Sequence, residues 1–122
     1  YKTAVVLHEN KRYLESAFFC HLAIEKILKA FIVYRKKTFP PKIHNLLSLA
    51  DRSDLSKSLS AKQLDFLADL NIYQLKGGYP GDREMLYTQT PIKKFDKILT
   101  DTDGELNWLK QKLRSEISSP NI

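Results

Sequence analysis

The 122-residue chain is long enough for one domain with a real hydrophobic core. Hydrophobic residues make up 43% of the sequence and charged residues 28%, which is the balance of a folded globular protein rather than a disordered one. The most apolar stretch, residues 17–34, is broken by Glu25, Lys26 and Lys29, so it is too short to span a membrane. A single cysteine, Cys20, excludes an internal disulfide framework and favours a cytoplasmic location.

The net charge of +6 is concentrated in the first third of the chain. Residues 1–44 contain nine Lys or Arg against three Glu, whereas residues 45–122 contain eleven of each sign. A basic region attracts polyanions such as nucleic acid, nucleotides or an acidic protein surface. Exposed lysines also keep small domains soluble, so charge alone does not select a function.

The first half of the chain predicts two helices in succession. Residues 1–10 have apolar side chains at helical spacing and indicate a short first helix. Residues 12–37 form a second helix that is apolar on nearly every side, which predicts a central position in a bundle. This helix must end before residues 38–41, because two consecutive prolines cannot continue it.

The second half predicts further helices separated by polar turns. In chain order these are a short helix at 43–50, a Ser-rich loop at 51–60, a helix at 61–76, a Gly-rich loop at 77–82 and a long helix at 91–116. No segment shows the alternation of a β-strand. The sequence therefore predicts an all-α fold, a single up-and-down bundle of four to five helices over residues 1–116, with a loose tail at 117–122.

Polar residues interrupt the apolar faces of two predicted helices. His21, Glu25 and Lys29 share one face of the central helix, and Glu25 and Lys29 are correctly spaced for an ion pair. Asn71 interrupts the apolar face of the helix at 61–76, and a buried Asn needs hydrogen-bond partners. Each set either stabilises helix packing or lines a polar cleft. His44 or Asn45 lies where the helix at 43–50 needs an N-cap.

Several kinds of site lack support in the sequence. The three histidines are widely spaced and one cysteine cannot complete a zinc site, so we expect no metal. The glycines at 77 and 78 belong to neither a P-loop nor a dinucleotide-binding motif. No arrangement of paired carboxylates or of Ser, His and Asp is favoured by the spacing.

Three stretches, taken in order, resemble the signatures of the HEPN domain family. They are CHLAIEKILKAF at 20–31, PPKIHNLLSLA at 40–50 and LNIYQLKGGYP at 70–80, and the final helix with WLK at 108–110 is also similar. The resemblance implies a four- to five-helix bundle that is usually a homodimer. It also implies nucleotide or RNA binding and a minimal nucleotidyltransferase partner, in pairs that behave as toxin–antitoxin modules.

The HEPN family that this chain resembles includes many metal-independent ribonucleases, and these carry a further motif, Arg-x(4–6)-His. This chain lacks that spacing, because Arg12 and Arg35 precede His21 and His44 with eight residues between in each case. Gly78 also stands where the family signature has an arginine. The resemblance therefore favours the branch without the ribonuclease motif. The missing motif argues against an enzyme but leaves the question open, and we expect no cofactor.

The family signature places its polar positions on both helices and loops of this chain. The resemblance implies a nucleotide- or phosphate-binding set that consists of Lys26, Lys29, His44, Asn71 and Tyr79. It also implies that Glu25 and Pro80 orient this set. In such a set the lysines would contact phosphate, the tyrosine would stack on a base, and the Asn and His would hydrogen-bond a base or sugar. The alternative is that all of these residues only stabilise packing.

Three functions remain open at this point. The first is a non-catalytic nucleotide- or RNA-binding module that is dimeric and acts with a nucleotidyltransferase. The second is a metal-independent RNase with a non-standard site around His44 or His21. The third is a protein-interaction module whose apolar helix surface serves dimerisation and docking.

Overall fold

The computed structural model describes residues 1–74 and 80–119, with the side chains of 80–82 left out. The described part of the chain is helical and has no β-strand. It contains one short 3-10 helix at Ser56–Ser58 and six α-helices: α1 (Lys2–Glu9), α2 (Tyr13–Lys36), α3 (Leu46–Arg52), α4 (Ala61–Asn71), α5 (Pro80–Gln89) and α6 (Ile92–Ser118). The prediction of an all-α bundle is confirmed.

Helix α2 is the centre of the bundle. It packs against each of the other five α-helices, most extensively against α6 and α1. Its buried side chains include Ile24, Leu28 and Phe31, which are completely inaccessible to solvent. A helix surrounded in this way must be apolar on most sides, which explains the pattern seen in the sequence. Lys37, in the left-handed conformation with φ of 55°, ends the helix.

Side-chain caps fix the starts of the two shorter helices α3 and α4. Asn45 is the N-cap of α3 and accepts hydrogen bonds from the backbone N–H groups of Leu47 and Ser48. Ser60 and Gln63 form a reciprocal capping box at the start of α4. Between them, Asp51 and Arg52 extend α3, and the 3-10 helix replaces part of the loop predicted at 51–60.

Helix α5 corrects the prediction for the Gly-rich segment. The predicted loop at 77–82 is wrong for residues 80–82, because the helix already begins at Pro80. Proline has the right φ for the first turn of a helix and needs no partner for its missing N–H, so it starts this helix rather than preventing it. Residues 77–79 lie outside the described part.

Two tyrosines and one arginine connect α6 to the first part of the chain. The Tyr1 hydroxyl donates to the carbonyl oxygen of Leu99 at 3.0 Å, and the Tyr34 hydroxyl donates to that of Glu116 at 3.0 Å. Arg35 bonds the Glu116 carboxylate at 2.7 Å and the Ser53 carbonyl at 2.9 Å. Helix α6 continues to Ser118, so the first two residues of the predicted loose tail at 117–122 are helical.

Candidate functional site

Polar side chains meet where α2 passes the start of α3 and the end of α4. We call this group the Glu25 cluster, and its members are His21, Glu25, Lys29, His44 and Asn71. The first three come from successive turns of α2, His44 precedes the N-cap of α3, and Asn71 is the last residue of α4. Fold and caps therefore bring together residues that lie up to 50 positions apart in the sequence.

Glu25 is the anion at the centre of this cluster. Its side chain is 7% exposed, and its Oε2 accepts a hydrogen bond from Lys29 Nζ at 3.0 Å. The same oxygen lies 3.0 Å from His44 Nδ1. Burial raises the pKa of Glu25, but the hydrogen bonds from His44 and Lys29 outweigh burial, so its pKa lies below the usual value. Glu25 is thus an ionised carboxylate that holds two cationic or hydrogen-bonding groups.

His44 is more accessible to solvent than the residues of α2 in the cluster. Its side chain is 40% exposed, compared with 20% for Lys29. When Nδ1 carries the proton and donates to Glu25, Nε2 is left with a free lone pair. A carboxylate that orients an exposed imidazole in this way prepares it either to bind a ligand or to transfer a proton. His44 is therefore held in place by Glu25 and does not cap α3, since Asn45 is the N-cap.

His21 lies behind the exposed face of the cluster. Its side chain is 1% exposed, and neither ring nitrogen has a hydrogen-bond partner among the described residues. Its Nδ1 is 3.6 Å from Glu25 Oε1, which is beyond a normal hydrogen bond. Burial lowers the pKa of His21, against the opposing effects of Glu25, the Asn71 side chain and the His44 backbone. His21 is therefore a neutral imidazole next to the carboxylate.

Asn71 connects α4 to the start of α3. Its Oδ1 accepts the backbone N–H of Leu46 at 2.8 Å, and its Nδ2 donates to Asn45 Oδ1 at 3.1 Å. These bonds correspond to the first alternative given by the sequence, because Asn71 ties two helices together. Its hydrogen bonds fix the α3 N-terminus and, through it, the segment that carries His44.

Lys26 does not join the Glu25 cluster. It is exposed on a different face of α2, where it lines a shallow groove with Tyr1, Leu106 and Lys110. Consecutive residues of a helix point about 100° apart, so Lys26 is turned away from Glu25, and none of the hydrogen bonds and ion pairs of the described residues joins it to the cluster. Tyr79 lies outside the described residues. Pro80 begins α5, and its side chain is among those left out.

Other chemistry is limited in the part of the chain that the structure describes. No group of three His, Cys, Asp or Glu side chains there converges to hold a metal ion. Cys20 is completely buried, and burial raises the pKa of its thiol, so it is unsuited to act as a nucleophile. No helix in residues 1–74 and 80–119 is long and apolar enough to cross a membrane.

Comparison of the chain with models of known protein families assigns most of it to one family. The model of the HEPN domain matches residues 1–110. The chain belongs to the HEPN domain family. Comparisons with curated proteins and with solved structures find no match. Both the Glu25 cluster and the described helices up to residue 110 lie within the matched HEPN segment.

Sequence reasoning found most members of the cluster but missed how His44 is held. The pairing of Glu25 with Lys29 follows from their spacing within one helix, whereas His44 reaches Glu25 only through the turn between α2 and α3. Sequence reasoning also missed Glu105 of α6, a second buried carboxylate. Its only signal was its position beside Leu106 on the inner face of the long helix.

Proposed function

We propose that this HEPN domain binds a nucleotide or the phosphate groups of RNA at the Glu25 cluster. The observation that supports it is the buried Glu25 carboxylate, which holds Lys29 and His44 together at a partly exposed position. Lys29 and a protonated His44 would donate to phosphate oxygens, and Glu25 would orient both. Lys42, exposed two residues before His44, adds positive charge to the same segment.

Binding is tested by fluorescence anisotropy with a labelled single-stranded RNA and with nucleotides at several salt concentrations. Lys29→Met should weaken binding at least about tenfold and reduce the salt dependence, because a phosphate contact is lost. Lys26→Met is the matched control, since it removes the same charge from an exposed residue of α2 that, unlike Lys29, forms no ion pair with Glu25. Equal affinity of the two variants would contradict the assignment of the site to the Glu25 cluster.

We further propose that the domain is a homodimer and acts with a minimal nucleotidyltransferase in a toxin–antitoxin-like pair. The support for a protein interface is an apolar groove at the end of α2 and α6, where Val33, Phe39 and Ile117 are 41%, 91% and 57% exposed. Exposed apolar residues grouped in this way are typical of interaction surfaces. Sedimentation of the wild type and of Phe39→Glu tests this proposal, and a wild-type monomer at high concentration would contradict it.

A second candidate function, metal-independent RNA cleavage, is favoured by the pairing of Glu25 with His44. An oriented imidazole can take the proton of a ribose 2′-hydroxyl while the 2′-oxygen attacks phosphorus. The bond from phosphorus to the 5′-oxygen then breaks, and the 5′-oxygen takes a proton from water. Cleavage would persist in EDTA, would require the 2′-hydroxyl and would be lost in His44→Ala. Binding without cleavage at high protein concentration would leave the first function and exclude the second.

A further inference from the structure

A separate cleft lies between α4 and α6, away from the Glu25 cluster. Its volume of about 330 Å³ is at the lower end of small-molecule sites, which suits a group the size of one side chain. Phe66, Leu70 and Ile98 form its apolar wall. At Gly104, also on the wall, an added Cβ would meet no atom within 4 Å, so this side of the cleft is open space.

Glu105 is the buried polar group of this cleft. The residue is 7% exposed, and the one hydrogen bond that its side chain accepts from the described residues is a long bond of 3.3 Å from Gln63 Nε2 to Oε1. Gln63 cannot turn away, because its Oε1 accepts the Ser60 N–H in the capping box at 2.9 Å. A carboxylate can accept several more hydrogen bonds than this one. No cation pairs with Glu105 among the residues that the structure describes.

The absence of a cation is physically significant because Glu105 is buried. A buried carboxylate without a positive partner destabilises its surroundings, and burial accordingly raises the pKa of Glu105 against the effect of Gln63. The other buried carboxylate among the described residues, Glu25, has the cationic partner that a buried anion usually requires, because it is paired with Lys29. Glu105 is the buried carboxylate for which the described chain supplies no such partner.

The other charges of the cleft do not supply the missing cation. Three lysines and four carboxylates line it. Two of the lysines are already held by aspartates, in the pairs Lys94–Asp69 at 3.3 Å and Lys97–Asp101 at 2.7 Å. Apart from these two pairs, the charged side chains of the cleft are one exposed lysine, Lys62, and two carboxylates, Asp65 and Glu105. The cleft is therefore locally acidic in a chain whose net charge is +6.

We propose that the cleft between α4 and α6 binds a guanidinium group, with Glu105 as its anion and Phe66 packed against its plane. A guanidinium forms two parallel hydrogen bonds with one carboxylate and packs on aromatic rings. An ammonium group fits these two neighbours less well, because it is compact and strongly hydrated. The group is carried either by a small molecule or by an arginine side chain of a partner, and the chemistry of recognition is the same.

Titration calorimetry with the full chain tests this proposal using four probes. N-acetyl-arginine methylamide represents a protein arginine, and agmatine represents a free small molecule. N-acetyl-citrulline methylamide is the neutral analogue of the same shape, and N-acetyl-lysine methylamide carries an ammonium. We expect saturable binding of the guanidinium compounds and at least about tenfold weaker binding of the citrulline and lysine compounds. The preferred guanidinium compound then identifies the source of the group.

Two variants locate the binding in the cleft. Glu105→Gln removes the charge but keeps an acceptor for Gln63, and Gly104→Leu places a side chain in the open space, where its Cβ meets no atom within 4 Å. Each should weaken binding of the arginine compound at least about tenfold, with thermal melts showing that both remain folded. Glu15→Gln, an exposed carboxylate on α2, is the control that should bind as the wild type.

Three results would overturn the proposal. One is that the guanidinium compounds show no binding to the wild type at ligand concentrations up to about 10 mM, a range that would reveal even a weak specific site. Another is equal binding of the citrulline analogue, which would show that the positive charge is not recognised. The third is wild-type affinity in Glu105→Gln and Gly104→Leu, which would place the binding elsewhere.

Discussion

Replacing Glu25 by Gln tests whether the buried carboxylate holds the α2–α3 contact together. Gln has nearly the same shape, but it is neutral, so it forms no ion pair with Lys29 and places no negative charge beside His44. The two contacts, both 3.0 Å long, are therefore weakened together while the volume of the side chain is kept. The expected effect on the free energy of unfolding follows from the two partners.

A hydrogen bond to a charged group contributes about 1.5–3 kcal/mol when it is well shielded from water. Lys29 and His44 are 20% and 40% exposed, so we assign about 1 kcal/mol to each contact. Glu25→Gln should then lower the free energy of unfolding at pH 7 by about 2 kcal/mol. For a chain of 122 residues this corresponds to a fall in Tm of roughly 8 °C.

Urea unfolding followed by circular dichroism measures this difference, with Glu15→Gln as the exposed control on the same helix. The control should change the free energy of unfolding by less than about 0.5 kcal/mol. Because the pKa of Glu25 is lowered in the folded state, its contribution is present above the pKa of an unfolded glutamate. The difference between wild type and Glu25→Gln should therefore shrink as the pH falls through the folded-state pKa of Glu25.

The result that would refute this reasoning is a Glu25→Gln protein as stable as the wild type at pH 7. The contacts with Lys29 and His44 would then contribute nothing to folding. A loss of the same size at pH 7 and at pH 3 would also contradict it, since the ionised carboxylate would not be responsible for the effect.

Three further substitutions test other parts of the structure. His21→Leu should leave the free energy of unfolding at pH 7 unchanged or slightly higher, because neither ring nitrogen of His21 is hydrogen-bonded among the described residues. Below about pH 6.5 an unfolded histidine takes up a proton that buried His21 resists, so urea titrations should show a smaller loss of stability in the variant than in the wild type. Gly104→Ala should raise the free energy of unfolding by about 0.5–1 kcal/mol, measured as a higher Tm; a lower Tm would show that the position is not open. Asn71→Ala should cost about 1–2 kcal/mol because Leu46 loses its acceptor, and faster amide exchange at Leu46 should accompany the loss.

The sequence predicted the helices better than the points where they meet. Apolar periodicity placed α2 and α6 to within two residues at each end, because long buried helices have strong patterns. Helix α5 was not recognised, since its ten residues are mostly exposed and polar and its start follows two glycines. Its helical state depends on packing against α2, which a local pattern cannot show.

The candidate site was predictable to the extent that it lies within one helix. Spacing alone paired Glu25 with Lys29, whereas the family resemblance grouped Lys26 with Lys29 although only Lys29 pairs with Glu25 in the structure. The contact between Glu25 and His44 depends on the turn after α2, and which of the described side chains surround Glu105 depends on how α4 and α6 pack. Such contacts are properties of the tertiary structure.

The ties between α2 and the end of α6 have a consequence for the order of events during synthesis. Arg35 and Tyr34 find their acceptor at Glu116, 81 and 82 residues later in the chain. A nascent chain would therefore expose one side of α2, its most apolar helix, until α6 has left the ribosome. Contacts of such long separation are slow to form and leave the unfinished chain open to aggregation. We expect this domain to require protection by a chaperone until α6 has emerged from the ribosome.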